Sequence, residues 1–355
     1  MIIFLGLLAL ICLYKMKFSS FHEDYMGKDQ TGAIKGIFAV IIFCSHIRGY
    51  VELDSNLLDK GYVYILGYLG QLMVTLFFFY SGYGVLKSYI AKDNYSKNFA
   101  KNRILKTLLH FDIAVFCYLV LALILKSNYS WYEYLLSFTG WTTLGNSNWF
   151  IFVMLALYLI TALSFILANR FSKSKGIILS SSVAVLSIAL IIVLILVGKD
   201  KIWSDTLLCY PAGMLFATYE DKINAFLNKK KIYGYGAIIC SFALFGISYL
   251  FIRRILPHVI AYNLTSIFFS LTIALITTKI KVDNAILRWL GKYSFFIYIF
   301  QRLPMIIFAN LGLNANKYVF FILCFVVTLF ISVVLNKFYE KLDKRLLLNN
   351  KSKSI

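Results

Sequence analysis

Residues 33–46 read A-I-K-G-I-F-A-V-I-I-F-C-S-H, an apolar run with one cation near its start, Lys35, and one imidazole at its end, His46. His46 follows Lys35 by eleven positions. On an α-helix the two side chains therefore lie about 20° apart around the axis and about 16 Å apart along it. Ionisable side chains inside a membrane span are costly and usually functional, so we expect this helix face to carry the chemistry of the protein.

The composition is that of a membrane protein. Of the 355 residues, 60% are hydrophobic and 15% are charged, and the mean hydropathy is +0.76. Apolar runs recur along the whole chain, which predicts an all-α fold, a polytopic transmembrane helical bundle with about 10–11 spans. The candidate spans are residues 1–14, 34–48, 61–86, 104–125, 149–168, 177–197, 203–219, 232–252, 258–278, 289–309 and 318–338.

The formal net charge of +20 could indicate a nucleic-acid partner, but its distribution indicates a lipid bilayer instead. Alternate loops between the predicted spans hold 27 of the 36 lysines and arginines, and the other loops hold 9. Because cytosolic loops of membrane proteins are enriched in these residues, the first set is predicted to be cytosolic. Lys35 and the C-terminus would then face the cytosol, with His46 towards the outside.

Three regions follow from this pattern. Residues 1–30 are predicted to form an extra N-terminal span with a cytosolic connector, residues 31–340 the main membrane domain, and residues 341–355 a basic cytosolic tail. The first fourteen residues have neither a preceding cationic region nor a following cleavage site, so we expect them to be a retained span. The six cysteines all lie in apolar runs without metal-ligand spacing, so no metal site is predicted.

Several polar side chains interrupt the apolar runs and are candidates for substrate contacts. Gln71 and Ser81 lie in the third predicted span, where they could contact a substrate or simply hydrogen-bond to neighbouring helices. Gln301 and Arg302 end another apolar run on the predicted outer side, where a polar acceptor could be held. Ser81 lacks the strand–turn–helix context of a serine nucleophile, so we do not expect an acyl-serine there.

Cations and aromatic residues suggest two further sites, each with a simpler interpretation. Arg103 and Lys106 lie in a cytosolic connection; they could bind an anionic cofactor such as a nucleotide thioester, or merely follow the positive-inside rule. The tryptophans in and beside the predicted outer loop 126–148, including Trp149, could stack on sugars or form an interfacial belt. His110 and Asp112 lie about 200° apart on a helix, so they should not face each other.

These stretches, taken in order, resemble the acyltransferase 3 family of integral-membrane acyltransferases over about residues 30–335. The pair Lys35 and His46 has the spacing of the basic residue and histidine in the first conserved helix of that family. Gln301 stands where many members have a histidine. The other matching stretches are F-F-F-Y-S-G-Y-G (77–84), the basic segment 99–106, W-F-I-F-V-M-L-A-L-Y (149–158), Y-P-A-G-M-L-F-A (210–217) and G-K-Y-S-F-F-I-Y-I-F (291–300).

The resemblance implies a membrane enzyme that moves an acyl group, acetyl in the first instance, from acyl-CoA to a hydroxyl of a surface or capsular polysaccharide or its lipid-linked precursor. It implies the bacterial plasma membrane, with acetyl-CoA as a co-substrate and no permanently bound cofactor. His46 would be the general base. The remaining predicted roles are catalysis for Lys35, cofactor binding for Lys35, Arg103 and Lys106, and substrate binding for Ser81, Gln71, Trp149, Gln301 and Arg302.

Two other classes of protein fit the same pattern of spans. A transporter of a glycan precursor or a small anion would have the same polar lining without catalysis, and would move its substrate without releasing CoA from a thioester. A membrane scaffold in a polysaccharide-assembly complex would tolerate the loss of both Lys35 and His46.

Overall fold

The computed structural model describes residues 1–54, 56–171 and 174–348, which form a bundle of helices. Helices suit this sequence because each one satisfies its own backbone N–H and C=O groups, as the interior of a bilayer requires. The only regular strands in the described residues are β1 (Met16–Phe18) and β2 (Ile280–Val282), which pair antiparallel. The predicted all-α polytopic fold is confirmed.

The helices vary in length from one turn to nine turns. In chain order they are α1 (Ile2–Leu13), α2 (Lys28–Ile47), α3 (Leu57–Leu69), α4 (Leu72–Ala91), α5 (Tyr95–Phe99), α6 (Lys106–Ile124), α7 (Trp131–Ser137), α8 (Trp149–Ala168), α9 (Lys175–Leu196), α10 (Cys209–Lys229), α11 (Lys231–Ile247), α12 (Arg253–Ile255), α13 (His258–Ile276), α14 (Ala285–Phe300), α15 (Arg302–Asn310) and α16 (Lys317–Leu348). Two π-helical segments, Ala100–Leu105 and Ser248–Ile252, lead into α6 and α12, respectively.

Eight helical segments of the described chain are long and apolar enough to cross a membrane. They are Lys28–Ile47, Leu57–Ala91, Tyr95–Ile124, Trp149–Ala168, Lys175–Leu196, Lys231–Ile252, His258–Ile276 and Lys317–Lys344. Each overlaps a span predicted from the sequence. The multi-pass membrane character of the chain is therefore supported by helix length as well as by composition.

The other three predicted spans are also helical, but they are shorter or more polar. α1 has only 12 residues, and α10 becomes polar and charged after its first half. The tenth predicted span is split into α14 and α15 at Gln301. Pro304 accounts for the split, because proline has no N–H to donate to the carbonyl four residues earlier, that of Phe300.

Loops of the bundle group at two ends, named here the Lys35 end and the His46 end after the two side chains that mark them. The grouping agrees with the two sets of loops that the cation count separated. At the Lys35 end, hydrogen bonds or ion pairs join Tyr25 to Asn224, Gln30 to Ile280 and Lys87 to Glu220. At the His46 end, hydrogen bonds join Gln71 to Ile202, Lys199 to Trp141 and Asn314 to Tyr50.

Glycines bring two pairs of helices into backbone contact around the centre of the bundle. In the α2–α14 pair, a methyl group built on Gly291 would lie 1.9 Å from the carbonyl oxygen of Gly32. In the α4–α10 pair, a methyl group on Gly82 would lie 2.0 Å from the carbonyl oxygen of Tyr210. Such separations are far shorter than any real contact, so these helices reach their observed distance only because the side chains are missing.

The break between α3 and α4 lies at the His46 end. Gly70 has φ +41°, a left-handed conformation that favours glycine. The chain turns at this glycine, and α4 begins two residues later at Leu72, with Gln71 as its N-terminal cap residue. This helix break and the one at Gln301 both leave polar side chains near His46.

The predicted tail boundary at residue 341 is not a structural break. α16 continues without interruption from Lys317 to Leu348. The rest of the predicted basic tail, residues 349–355, lies outside the described residues.

Substitution of Gly82 by alanine should destabilise the bundle, since its methyl group would meet the backbone of α10 and force α4 away. Overpacking of this kind typically costs about 1–3 kcal/mol. We expect Gly82→Ala to lower the unfolding temperature of the detergent-purified protein. Gly84→Ala is the matched control, because no atom lies within 4 Å of the position of its methyl group. Equal unfolding temperatures for both variants would contradict the proposed backbone contact.

Candidate functional site

His46 and Lys35 both face into the bundle, as their spacing predicted. His46 lines a cavity of about 400 Å³ at the His46 end. The amine of Lys35 lies 5.8 Å from the centre of the Tyr80 ring, which is itself buried. α2 places both because most of its side chains are buried against neighbouring helices.

The cavity around His46 is lined by helices on one side and by a loop on the other. α2, the α3–α4 junction and the first residue of α8 contribute side chains, and Tyr298 and Arg302 come from α14 and α15. Residues 143 and 146–148 of the loop before α8 complete the lining together with Ile202. The lining mixes polar and aromatic groups, which suits a polar substrate with apolar ring faces.

Ser147 is the hydrogen-bond partner of the imidazole. Its Oγ lies 3.4 Å from Nδ1 of His46. When Nδ1 carries the proton and donates a hydrogen bond to Ser147, Nε2 keeps a lone pair that can accept a proton from a hydroxyl. No hydrogen bond joins Nε2 to another of the described residues. The arrangement can therefore act as a general base.

The loop before α8 is held in place by its own asparagines. Asn148 donates hydrogen bonds to the carbonyl oxygens of Gly140 and Thr142, at 2.9 and 3.0 Å. The side-chain oxygen of Asn146 accepts from the backbone N–H of Leu144 at 2.9 Å. Sequence reasoning missed Ser147, which lies between these two asparagines. The only signal in the sequence was the run of turn-forming polar residues.

Three of the five predicted substrate-binding residues line the His46 cavity: Gln71, Trp149 and Arg302. Gln301 does not line it. Its side chain is fully buried behind the cavity, where its amide donates to the carbonyl oxygen of Tyr298 at 3.1 Å. Ser81 is also elsewhere, because its hydroxyl lies 3.0 Å from that of Tyr158 in the tyrosine cluster described below.

Lys35 and Arg103 form a second site at the Lys35 end. Arg103 lies on the π-helical segment Ala100–Leu105, and it is close enough to Lys35 for the two charges to repel each other. The hydroxyls around Arg103 belong to Tyr95, Tyr158 and Tyr210. Irregular helix turns of this type often occur at functional sites. No carboxylate among the described residues forms an ion pair with Lys35 or Arg103, so this pair can bind an anion.

Lys106, the third predicted donor-binding residue, belongs to a different cluster. Its amine forms an ion pair with Asp343 of α16 at 2.5 Å, and Nε2 of His110 lies 3.1 Å from the other oxygen of the same carboxylate. Tyr339 donates a hydrogen bond to the carbonyl oxygen of His110 at 3.1 Å. Lys106 thus joins α6 to α16. Sequence reasoning correctly separated His110 from Asp112 but could not identify Asp343 as its partner.

A small apolar pocket of about 60 Å³ lies between the two sites. It shares Ile42, Val74 and Tyr298 with the His46 cavity. Ala39, which also lines it, lies one helical turn from Lys35 on α2. The rest of the pocket lining is mainly phenylalanine. An uncharged chain could occupy this space between the cations at one end and the imidazole at the other.

The outer tryptophans have separate environments. Trp141 and Trp203 enclose the amine of Lys199, at 3.7 and 4.3 Å from their ring centres, which anchors the loop before α8. Trp131 is 77% exposed, as expected for a membrane-interface residue. Trp149 alone of these residues lines the His46 cavity. The described residues contain no group of three or more potential metal ligands.

Comparison with known proteins identifies the family of the chain. The family profile described as "Acyltransferase domain", that of acyltransferase 3, matches residues 32–337. No curated protein and no solved structure gave a significant match. The matched range begins before Lys35 and His46 and ends within α16, so it contains both sites. With nearly its whole length matched, the chain belongs to the acyltransferase 3 family of membrane acyltransferases.

Proposed function

We propose that the protein transfers an acetyl group from acetyl-CoA to a hydroxyl of a cell-surface or capsular polysaccharide, or of its lipid-linked precursor. One observation carries the proposal. Lys35 and Arg103, which form no ion pair with a described carboxylate, lie at one end of the bundle, and the cavity lined by His46 lies at the other, with a small apolar pocket between them. The family match supports the acyl transfer itself.

The donor binds at the Lys35 end, which faces the cytosol in this proposal. Lys35 and Arg103 contact the phosphates of CoA, since cations without a protein counter-charge favour a multiply charged anion. The excess of lysine and arginine in the loops of this end supports its cytosolic position.

The thioester arm reaches His46 through the apolar pocket. Lys35 and His46 lie about 16 Å apart along α2, a distance that the phosphates need not cross because the pantetheine arm of CoA is long and uncharged. The pocket shares three lining residues with the His46 cavity. Its phenylalanine lining excludes water, which protects the thioester from hydrolysis.

The reaction takes place beside His46. The acceptor hydroxyl attacks the carbonyl carbon of the thioester while Nε2 of His46 takes its proton. The carbon–sulfur bond then breaks, and the proton passes from His46 to the departing sulfur. The products are an ester on the acceptor and free CoA. Ser147 keeps the imidazole in the required orientation by accepting a hydrogen bond from the N–H group at Nδ1.

His46→Gln should nearly abolish acyl transfer, because general-base catalysis contributes about 10²–10⁴-fold. The measurement is the acyl content of surface glycans, by mass spectrometry, in cells that express equal amounts of each variant. His258→Gln is the matched control, since His258 pairs with Asp205 outside the cavity. Acylation that survives His46→Gln would exclude His46 as the base.

Arg103→Gln should weaken donor binding and leave the later chemistry less affected. A hydrogen bond to a charged group contributes about 1.5–3 kcal/mol, so we expect the KM for acetyl-CoA to rise by about tenfold or more. The assay is release of free CoA by the purified protein. Lys97→Gln removes the same charge from an exposed position of α5, and it should change the KM little. Equal effects of the two variants would contradict a specific donor site.

Ala39→Met should obstruct the apolar pocket, because the longer side chain would occupy its small volume of about 60 Å³. We expect transfer to fall by about tenfold or more while the KM for acetyl-CoA changes little, since Lys35 and Arg103 remain. Ala243→Met, on an exposed face of α11, is the control for the added volume. Normal transfer by Ala39→Met would show that the thioester takes another route.

A further inference from the structure

The His46 cavity carries positive charge that the protein does not neutralise. Arg302 lines the cavity, and both Arg302 and Arg48 act electrostatically on His46. The lining includes neutral polar and apolar side chains but no aspartate or glutamate. Across the described residues, neither arginine forms an ion pair with a carboxylate.

Arg302 is the less satisfied of the two arginines. The Nε atom of Arg302 is buried and has no hydrogen-bond partner among the described residues, whereas that of Arg48 donates to the carbonyl oxygen of Ser45 at 3.3 Å. A guanidinium carries five N–H donors arranged to bind an oxyanion through two parallel hydrogen bonds. Buried charges in proteins are normally paired.

Carboxylates are present at the same end of the bundle but they are used elsewhere. Lys317 of α16 forms ion pairs with Asp54 and with Asp59, the latter at 2.6 Å. The chain therefore neutralises a cation outside the cavity and leaves Arg302 unpaired inside it. A substrate is the natural source of the missing negative charge.

We infer that Arg302 binds an oxyanion, a carboxylate or a phosphate, that the acceptor glycan carries next to the hydroxyl that is acylated. The inference rests on the proposed function and adds the chemical class of the acceptor. An anionic group would form the paired hydrogen bonds that Arg302 lacks. It would also bring the accepting hydroxyl to His46, which shares the cavity with Arg302.

The anion belongs to the acceptor and not to the acyl group. A dicarboxylic acyl group would have to carry its charge through the apolar pocket, past Phe77, Phe150 and Phe295. Transfer of an unpaired carboxylate into such surroundings is very costly. An acceptor that reaches the cavity from the His46 end avoids this pocket.

The first test identifies the acylated polymer in cells with and without the protein. We expect the sugar that gains an acyl group to carry or adjoin a carboxylate or a phosphate. An acyl group on a wholly neutral polymer would overturn the inference, and so would transfer of a dicarboxylic acyl group. The absence of any acylation difference would be a failure of the proposed function instead.

The second test measures binding of three probes to the purified protein in nanodiscs by quenching of tryptophan fluorescence. The probes are a hyaluronan tetrasaccharide, the same tetrasaccharide with its carboxyl groups reduced to alcohols, and a glycerol-phosphate oligomer. We expect at least one anionic probe to bind about tenfold or more tightly than the neutral one, and the tighter of the two anions identifies the source of the charge. Equal binding of all three would overturn the inference.

Variants of Arg302 connect that preference to the guanidinium. Arg302→Gln should remove the preference for the anionic probe, and Arg302→Lys should retain part of it. Arg254→Gln, which removes an exposed arginine, should leave it unchanged. In transfer assays with the identified polymer, Arg302→Gln should raise the KM for the acceptor more than it lowers kcat. A fall in kcat that is equal for the native polymer and a neutralised form would assign Arg302 to the reacting carbonyl and overturn the inference.

Discussion

Positive charge inside an apolar bundle, without a protein counter-charge, is the constraint that organises this molecule. A cation at the centre of a membrane helix costs about 2.5–3.5 kcal/mol on insertion scales. The chain accepts such costs near both ends of α2, with Lys35 and Arg103 near one end and Arg302 beside His46 near the other. Cations of this kind are retained where water or an anionic ligand reaches them.

Cations that form ion pairs within the protein have a different role from those that do not. Lys106 is held by Asp343 and Lys317 by Asp59, and each pair joins helices that are distant in sequence. These lysines fasten α16 to the rest of the bundle. These two paired lysines therefore act in assembly, whereas in the proposed function the unpaired Lys35, Arg103 and Arg302 bind substrates.

Backbone contact between helices fixes the geometry of the proposed reaction. α14 lies against α2 at Gly32, Gly36 and Gly291 without intervening side chains. Tyr298 of α14 can therefore line both the apolar pocket and the His46 cavity. Tight packing also leaves the pocket between the sites small, at about 60 Å³.

The sequence by itself determined the helical membrane architecture, the separation of loops into two ends, and the shared face of Lys35 and His46. These follow from local rules, namely hydropathy, charge bias and helical periodicity. Only the tertiary structure decided which polar groups meet. In the folded protein, Ser147 lies beside His46, Lys106 forms an ion pair with Asp343, and Ser81 lies within hydrogen-bond distance of Tyr158. Arg302 has no such partner among the described residues. Such contacts join residues dozens to hundreds of positions apart and depend on how helices pack, which no local pattern encodes.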